Sequence, residues 1–245
     1  MKTNLLLALV AMLLSVSSCS VNLGEGTERI EPSSNIVKNK YPMEAFDKVE
    51  SHVVGNIQLV QSDQSRVTLS APENYIDLFS INNDHRTLVI NFAKDNINID
   101  ASNITIIVYT PTLHKVKNSG AADVRSDSLT TDELEIDNSG VGAFDLAHIR
   151  AREVEVKCSG VGSIKLSGKT EEAEYECSGV GNINAVDLKA LHVEAVVSGV
   201  GGIKCFASDF IKGRVSGVGG LEYAGNPRGA QLDKSSMVGS ISEIK

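Results

Sequence analysis

Apolar and polar positions alternate along much of this chain, and the alternation is interrupted at regular intervals. Val154, Val156 and Cys158 alternate with Glu153, Glu155 and Lys157. One interval later Ala173, Tyr175 and Cys177 alternate with Glu172, Glu174 and Glu176; one interval earlier Leu134, Ile136 and Asn138 keep the same phase. A period of two predicts strands buried on one side. Each is followed by a glycine-rich segment and then a second apolar pair: Ile164 and Leu166, Ile183 and Ala185, Ile203 and Cys205, Leu221 and Tyr223. A further turn, as at Ser167-Gly168-Lys169, completes a unit of at least two strands and two turns. A helical reading fails, because the runs are short, rich in β-branched residues and cut by glycine.

The interruptions are copies of one segment. Asn138-Ser139-Gly140-Val141-Gly142 returns as Cys158 to Gly162, Cys177 to Gly181, Val197 to Gly201 and Val215 to Gly219. A degenerate copy, Asn118 to Ala122, precedes them, and Ser235 to Gly239 follows with Met237 where the corner glycine should stand. Recurrence every 18 to 20 residues is the signature of solenoid coils. Stacked in parallel, such coils bring equivalent residues into columns about 4.8 Å apart. The fold class expected is therefore all-β, a parallel β-helix of ~20-residue coils with an N-terminal β cap. Gly120, Gly140, Gly142, Gly160, Gly162, Gly179, Gly181, Gly199, Gly201, Gly217 and Gly219 are then structural turn positions, where a Cβ would obstruct the corner. No helix and no Lys-Ser/Thr follows these G-x-G runs, so they are turns and not phosphate cradles.

Residues 118–245 are thus read as coils and residues 43–117 as cap strands. The apolar runs of the cap are Val53 to Val60, Val67 to Leu69, Leu88 to Phe92 and Ile104 to Tyr109, separated by turn signals at Ala71-Pro72 and Asn82-Asn83-Asp84. Some antiparallel pairing is expected here, because an open solenoid end exposes an unpaired strand edge. Residues 19–42, with Gly24, Gly26, Pro32 and Pro42 among polar neighbours, read as a linker.

Residues 1–18 have the layout of a secretory signal: Lys2, the apolar run Leu5 to Leu14, then small residues up to Cys19. Val16-Ser17-Ser18-Cys19 resembles a bacterial lipobox, with Cys19 as the acylated residue; the alternative is an ordinary signal with an incidental cysteine, but no A-x-A site competes. Two or three acyl chains hold a protein on a bilayer firmly, and no other stretch reaches the ~18 apolar residues of a spanning helix. The expectation is an exported lipoprotein tethered to a membrane, the outer membrane by preference, with its periplasmic or surface orientation open.

Composition narrows the chemistry. A formal charge of −8 argues against a nucleic-acid or polyanion surface. Trp is absent and aromatics are scarce, which handicaps glycan binding. Besides Cys19, the cysteines are Cys158, Cys177 and Cys205, with no C-x-x-C pair, so no metal site or cofactor is expected. Aligned on the corner, Asn118, Asn138, Cys158, Cys177, Val197, Val215 and Ser235 form one inward column. The two stacked cysteines could bridge, but a ladder of free buried thiols is the favoured reading, and the asparagines should form an amide ladder. Outward, Glu135, Glu155, Glu174 and Glu194 form an acidic column flanked by Glu133, Glu153 and Glu172. Calcium could relieve its repulsion, although a solvated acidic face is the simpler reading. Glycosidases and polysaccharide lyases need differentiated acids in a cleft, whereas these repeat as a scaffold would make them. His52, His85, His114, His148 and His192 share no column.

The lipobox, Phe46-Asp47-Lys48-Val49 with Val54-Gly55-Asn56-Ile57, the run Ile106 to Leu113 and the Ser-Gly-x-Gly coils together resemble the "putative auto-transporter adhesin, head GIN domain" family, DUF2807, over most of residues 42–241. The resemblance implies a right-handed β-helix, common in Bacteroidetes lipoproteins, of undetermined biochemical role. The reading that follows is a non-enzymatic envelope or surface lipoprotein whose rigid β-helix presents a binding or structural surface for a protein or glycan ligand, with adhesion as one use. The alternative is a carbohydrate-binding or polysaccharide-processing β-helix.

Overall fold

The computed structural model describes residues 28–244, so the signal segment and Cys19 lie outside the described residues. Within them the chain winds into a β-solenoid of about six turns with stacked parallel coils. Each coil has three faces. The first carries the alternating strands: Lys48–Ser51, Lys115–Asn118, Glu133–Asn138, Glu153–Cys158 and Glu172–Cys177, continued by residues 192–197, residues 210–215 and Gly229–Lys234. The second follows the Ser-Gly corner and runs from Val54–Gln61 through Ala121–Ser126 and the equivalent segments to Val218–Ala224 and Ser240–Glu243. A short third face begins at Leu129–Thr130 and passes through residues 149–150, 168–169, 188–190 and 206–207. The register shifts between the second and third faces in successive coils, which is where the differences in coil length are absorbed.

Two expectations about the N-terminal region are corrected. The segment 43–117 is not wholly a cap, because Lys48–Ser51 and Val54–Leu59 pair in parallel with the first repeat and form a coil of their own. Thr87–Phe92 and Thr105–Thr110 extend the first and second faces by a further layer. Only then do antiparallel strands close the end: Arg66–Pro72 on Thr105–Thr110, and Phe79–Asp84 on Thr87–Phe92. That last hairpin turns on His85 and Arg86, both at positive φ, one step beyond the expected turn. Residues 28–42 are also more ordered than a linker. Glu28–Ile30 pairs with Ile97–Ile99, and Ile36–Pro42 forms the outermost strand on Arg66–Pro72. Val37 and Tyr41 pack on the core while Lys38 and Lys40 face water. Edge lysines and a terminal proline discourage pairing with a second chain.

The Ser-Gly corner sets the stacking distance. A Cβ on Gly160 would collide with the carbonyl oxygen of Gly140, one on Gly179 with that of Gly160, and so on from Gly120 to Gly217. The same oxygen accepts the next coil's valine N–H: Val161 N donates to Gly140 O at 2.9 Å and Val180 N to Gly160 O at 3.0 Å. Glycine is required because backbone meets backbone there.

Inside, Asn118, Asn138, Cys158, Cys177, Val197 and Val215 form the expected column, but the next position in register is taken by Lys234, which is exposed, and not by Ser235. The strand before the last corner has slipped by one residue. Ser235 N and Ser236 N both donate to Val215 O, so Ser236 takes the corner-glycine position. Met237, almost fully exposed, is the extra residue taken up before Ser240 regains the register on Gly220. Asn118 Nδ2 donates to Asn138 Oδ1 at 3.1 Å, and Asn138 Nδ2 reaches Gly142 O at 3.3 Å. Cys177 Sγ donates to Gly181 O at 3.2 Å. Amide and thiol thus serve the equivalent corner carbonyl in coils two steps apart. Cys158, Cys177 and Cys205 are buried free thiols, and burial pushes the Cys205 thiol up to about 12.

The neighbouring inward column shows how the interior is filled. Val156 stacks on Tyr175, Tyr175 on Ala195, Ala195 on Gly213 and Gly213 on Leu232. The large ring of Tyr175, fully buried, is offset by two small residues above it. At Gly213 the space for a Cβ is already taken by Leu221 and Leu232.

Gly160→Ala is expected to destabilise the protein by roughly 2–4 kcal/mol, because backbone must move in two coils. That corresponds to a drop in Tm of about 5–15 °C. Val161→Thr, one residue away and half-exposed, is expected to change stability by less than about 0.5 kcal/mol. Thermal melts followed by circular dichroism compare the two.

Candidate functional site

Each face presents a different surface. On the first, Glu135, Glu155, Glu174 and Glu194 stand in one column, in register as expected. The column is closed by cations at both ends, since Lys115 pairs below Glu135, and Lys212 pairs above Glu194. Lys115 Nζ donates to Glu135 Oε1 at 2.7 Å, Lys212 Nζ to Glu194 Oε1 at 2.7 Å, and Lys157, from the adjacent column, reaches Glu155 Oε1 at 2.5 Å. Arg152 gathers Asp132, Glu133 and Glu153. Glu174 has no cation within ion-pairing distance among the described residues. Partial burial against the sheet, then the charges of Glu155 and Glu194, hold its carboxyl above the usual range. No group of three or more His, Cys, Asp or Glu side chains suited to a metal ion occurs among the described residues. The acidic repulsion is relieved by lysine and arginine supplied from the same scaffold.

His192 continues the flanking column above Glu172 and contacts Asp209 at 3.1 Å, while His114 and His148 sit at other corners against backbone carbonyls. His52 and His85 lie in the N-terminal region beside Glu50 and Asp84.

The Ser-Gly-Val-Gly corner exposes a second feature. Val141, Val161, Val180, Val200 and Val218 are in direct register and each is 50–56% exposed. They form a straight apolar stripe along the solenoid. The turn glycines named from the sequence flank it, and their function is to bring the coils close enough for the valines to line up.

The third face holds a cleft of about 860 Å³, lined by Ile149, Ala151, Ala190, Leu191 and Phe206 together with polar residues. Arg150, Lys169 and Lys189 stand in one column along it, and Phe206 occupies the next position. Lys189 Nζ donates to Val186 O at 2.9 Å and lies 4.0 Å from the centre of the Phe206 ring. Net charge gave no sign of this column, because the composition averages it with the acidic first face. A count along the sequence also misses it, since the register shifts before the third face place Arg150, Lys169 and Lys189 at unequal distances from their corners.

The charge on Glu174 opposes folding once its raised pKa is exceeded, so its contribution is favourable in acid and is lost as pH rises through that value. Glu174→Gln is expected to leave stability unchanged or raise it by up to about 0.5 kcal/mol at neutral pH and low salt. The gain should vanish in high salt and at about pH 3.5, below the usual glutamate range. Urea denaturation under the three conditions measures it.

The same architecture recurs in solved structures. The crystal structure of "a putative adhesin" from Bacteroides fragilis NCTC 9343 is 34% identical, with a TM-score of 0.85 over 88% of this chain and 100% of its own. Two structures from Parabacteroides distasonis ATCC 8503, one described as a "putative adhesin" and one as a "putative lipid binding protein", are each 20% identical with a TM-score of 0.68; each match covers 89% of this chain and 100% of the other, and they share the fold. No match is found among curated proteins. A family profile described as "Putative auto-transporter adhesin, head GIN domain" matches residues 45–227, from the strand that opens the first coil to the end of Val218–Ala224. The chain belongs to that family, DUF2807.

Proposed function

We propose that this protein is an exported lipoprotein, held at the outer membrane by acyl chains on Cys19, that works as a non-enzymatic adhesive scaffold. The description of its family as an adhesin head and the adhesin-like Bacteroides fragilis relative support the adhesive role and an exported or cell-surface location. The observation that carries the reading is the valine stripe. Five half-exposed valines in one line make an apolar strip on the order of a few hundred Å², comparable with the largest patch a monomer usually exposes. The corner itself asks only for glycine on either side of this position. Outward neighbours one step along, Ala143, Ser163, Asn182 and Gly202, vary freely, yet the valine is kept through five coils. A rigid linear strip suits repeated weak contacts with an extended partner, where several small contributions act together.

The triple variant Val161→Thr, Val180→Thr, Val200→Thr keeps the β-branched shape and removes the apolar surface. It is expected to melt within about 3 °C of the parent. Retention of the full-length protein on mucin-coated surfaces and isolated bacterial envelopes should fall at least fivefold. Unchanged retention would overturn the role of the stripe.

The anchor has its own test. Cells expressing the parent should incorporate labelled palmitate into the protein and carry it in the membrane fraction, whereas Cys19→Ala should lose the label and leave that fraction. Persistent labelling of the variant would move lipidation elsewhere.

A further inference from the structure

We infer that the third-face cleft is a binding site for a linear carboxylated polysaccharide, laid along the solenoid axis across Arg150, Lys169 and Lys189. The site is separate from the valine stripe. Three cations on adjacent coils are spaced by the interstrand distance, about 4.8 Å. Side-by-side like charges repel, and several outward lysines on the other faces are paired with carboxylates: Lys115, Lys117, Lys157, Lys204 and Lys212. Among the described residues, no carboxylate lies within ion-pairing distance of Arg150, Lys169 or Lys189. In a chain of charge −8, three neighbouring cations without such a partner leave a positive strip that an external anion can neutralise.

The shape of the cleft selects among anions. It runs over several coils, from Thr131 to Ser208, with the cations strung along it, and a single headgroup would engage only one or two of them. A chain bearing one carboxylate per sugar offers negative charge at intervals close to the coil spacing. Its ring faces are apolar enough to lie on Leu191, which is 48% exposed, while Phe206 at the end of the column holds the Lys189 ammonium over its ring. Arginine suits a planar carboxylate, to which it can donate two parallel hydrogen bonds. The net negative charge, and Glu171 at the rim of the cleft, disfavour polymers of higher charge density such as nucleic acid.

Full-length protein purified in detergent would be titrated calorimetrically with polygalacturonate fragments, with the same fragments after reduction of their carboxyl groups, with single-stranded poly(dA), and with phosphatidylglycerol vesicles. Binding is expected for polygalacturonate alone, weakening as salt is raised. Lys169→Glu should weaken it at least tenfold. Lys165→Glu, the same charge change on the second face, should leave it within twofold, and both variants should melt with the parent. The inference is overturned if polygalacturonate does not bind, if reduced fragments bind equally, if vesicles or poly(dA) bind in its place, or if the two variants behave alike. None of these outcomes touches the valine stripe, which the triple valine variant tests independently.

Discussion

Backbone-to-backbone contact at the Ser-Gly corner is the constraint on which the rest of the molecule depends. There the carbonyl of one coil's glycine lies against the Cα of the next coil's glycine and accepts the hydrogen bond of the following valine. With glycine at each of these positions, the coils close to strand spacing on two faces at once. The inward columns can then form, from Asn118 to Val215 on one line and from Val156 to Leu232 on another. The outward columns are the same register seen from the other side of the sheet. A loosened corner would therefore disturb core and surface together.

That register also explains how one scaffold carries surfaces of opposite character. The first face concentrates glutamates and supplies its own counterions through Lys115, Lys157, Lys212 and Arg152. The corner exposes valine, and the third face collects Arg150, Lys169 and Lys189 beside Phe206. Three chemistries are kept apart by the three-faced shape of the coil, and each is amplified by repetition along the axis. None of them requires a mobile loop.

The repeat itself was fully legible in the sequence, because a motif spaced every 18 to 20 residues has few physical solutions once the flanking strands alternate with period two. The glutamate column and the cysteine and asparagine columns followed by counting from the corner, and the structure places them as counted as far as Val215. Counting failed in three places, each with a cause. Beyond Val215 the corner carries Ser236 where earlier coils have glycine, and the strand before it is slipped by one residue. Lys234 therefore takes the position expected for Ser235, and Met237 takes up the difference before Ser240. In the N-terminal region the strands Lys48–Ser51 and Val54–Gln61 lack the Ser-Gly-x-Gly signature, so their membership of the stack depends on long-range pairing that local pattern cannot report. On the third face, irregular register between Leu146 and Ile149 and between Lys165 and Ser167 disguised the alignment of the three cations. The valine stripe was in plain view in the motif, but its exposure became evident only when the corner was seen from outside.

The stacking of Tyr175 beneath Ala195 and Gly213 has a consequence for how such a chain can change. Its corners are interchangeable from Gly140 to Gly217, where one glycine rests on another, but its interiors are matched in size only to their immediate neighbours. Inserting a duplicate of the Tyr175 coil would set two bulky rings where one fits, and excising the Ala195 coil would press the ring toward Gly213, whose side-chain space is already occupied. Lengthening or shortening of the solenoid by unequal recombination is thus open at the backbone and restricted by volume, which gives a visibly repetitive protein an individual, ordered succession of coils.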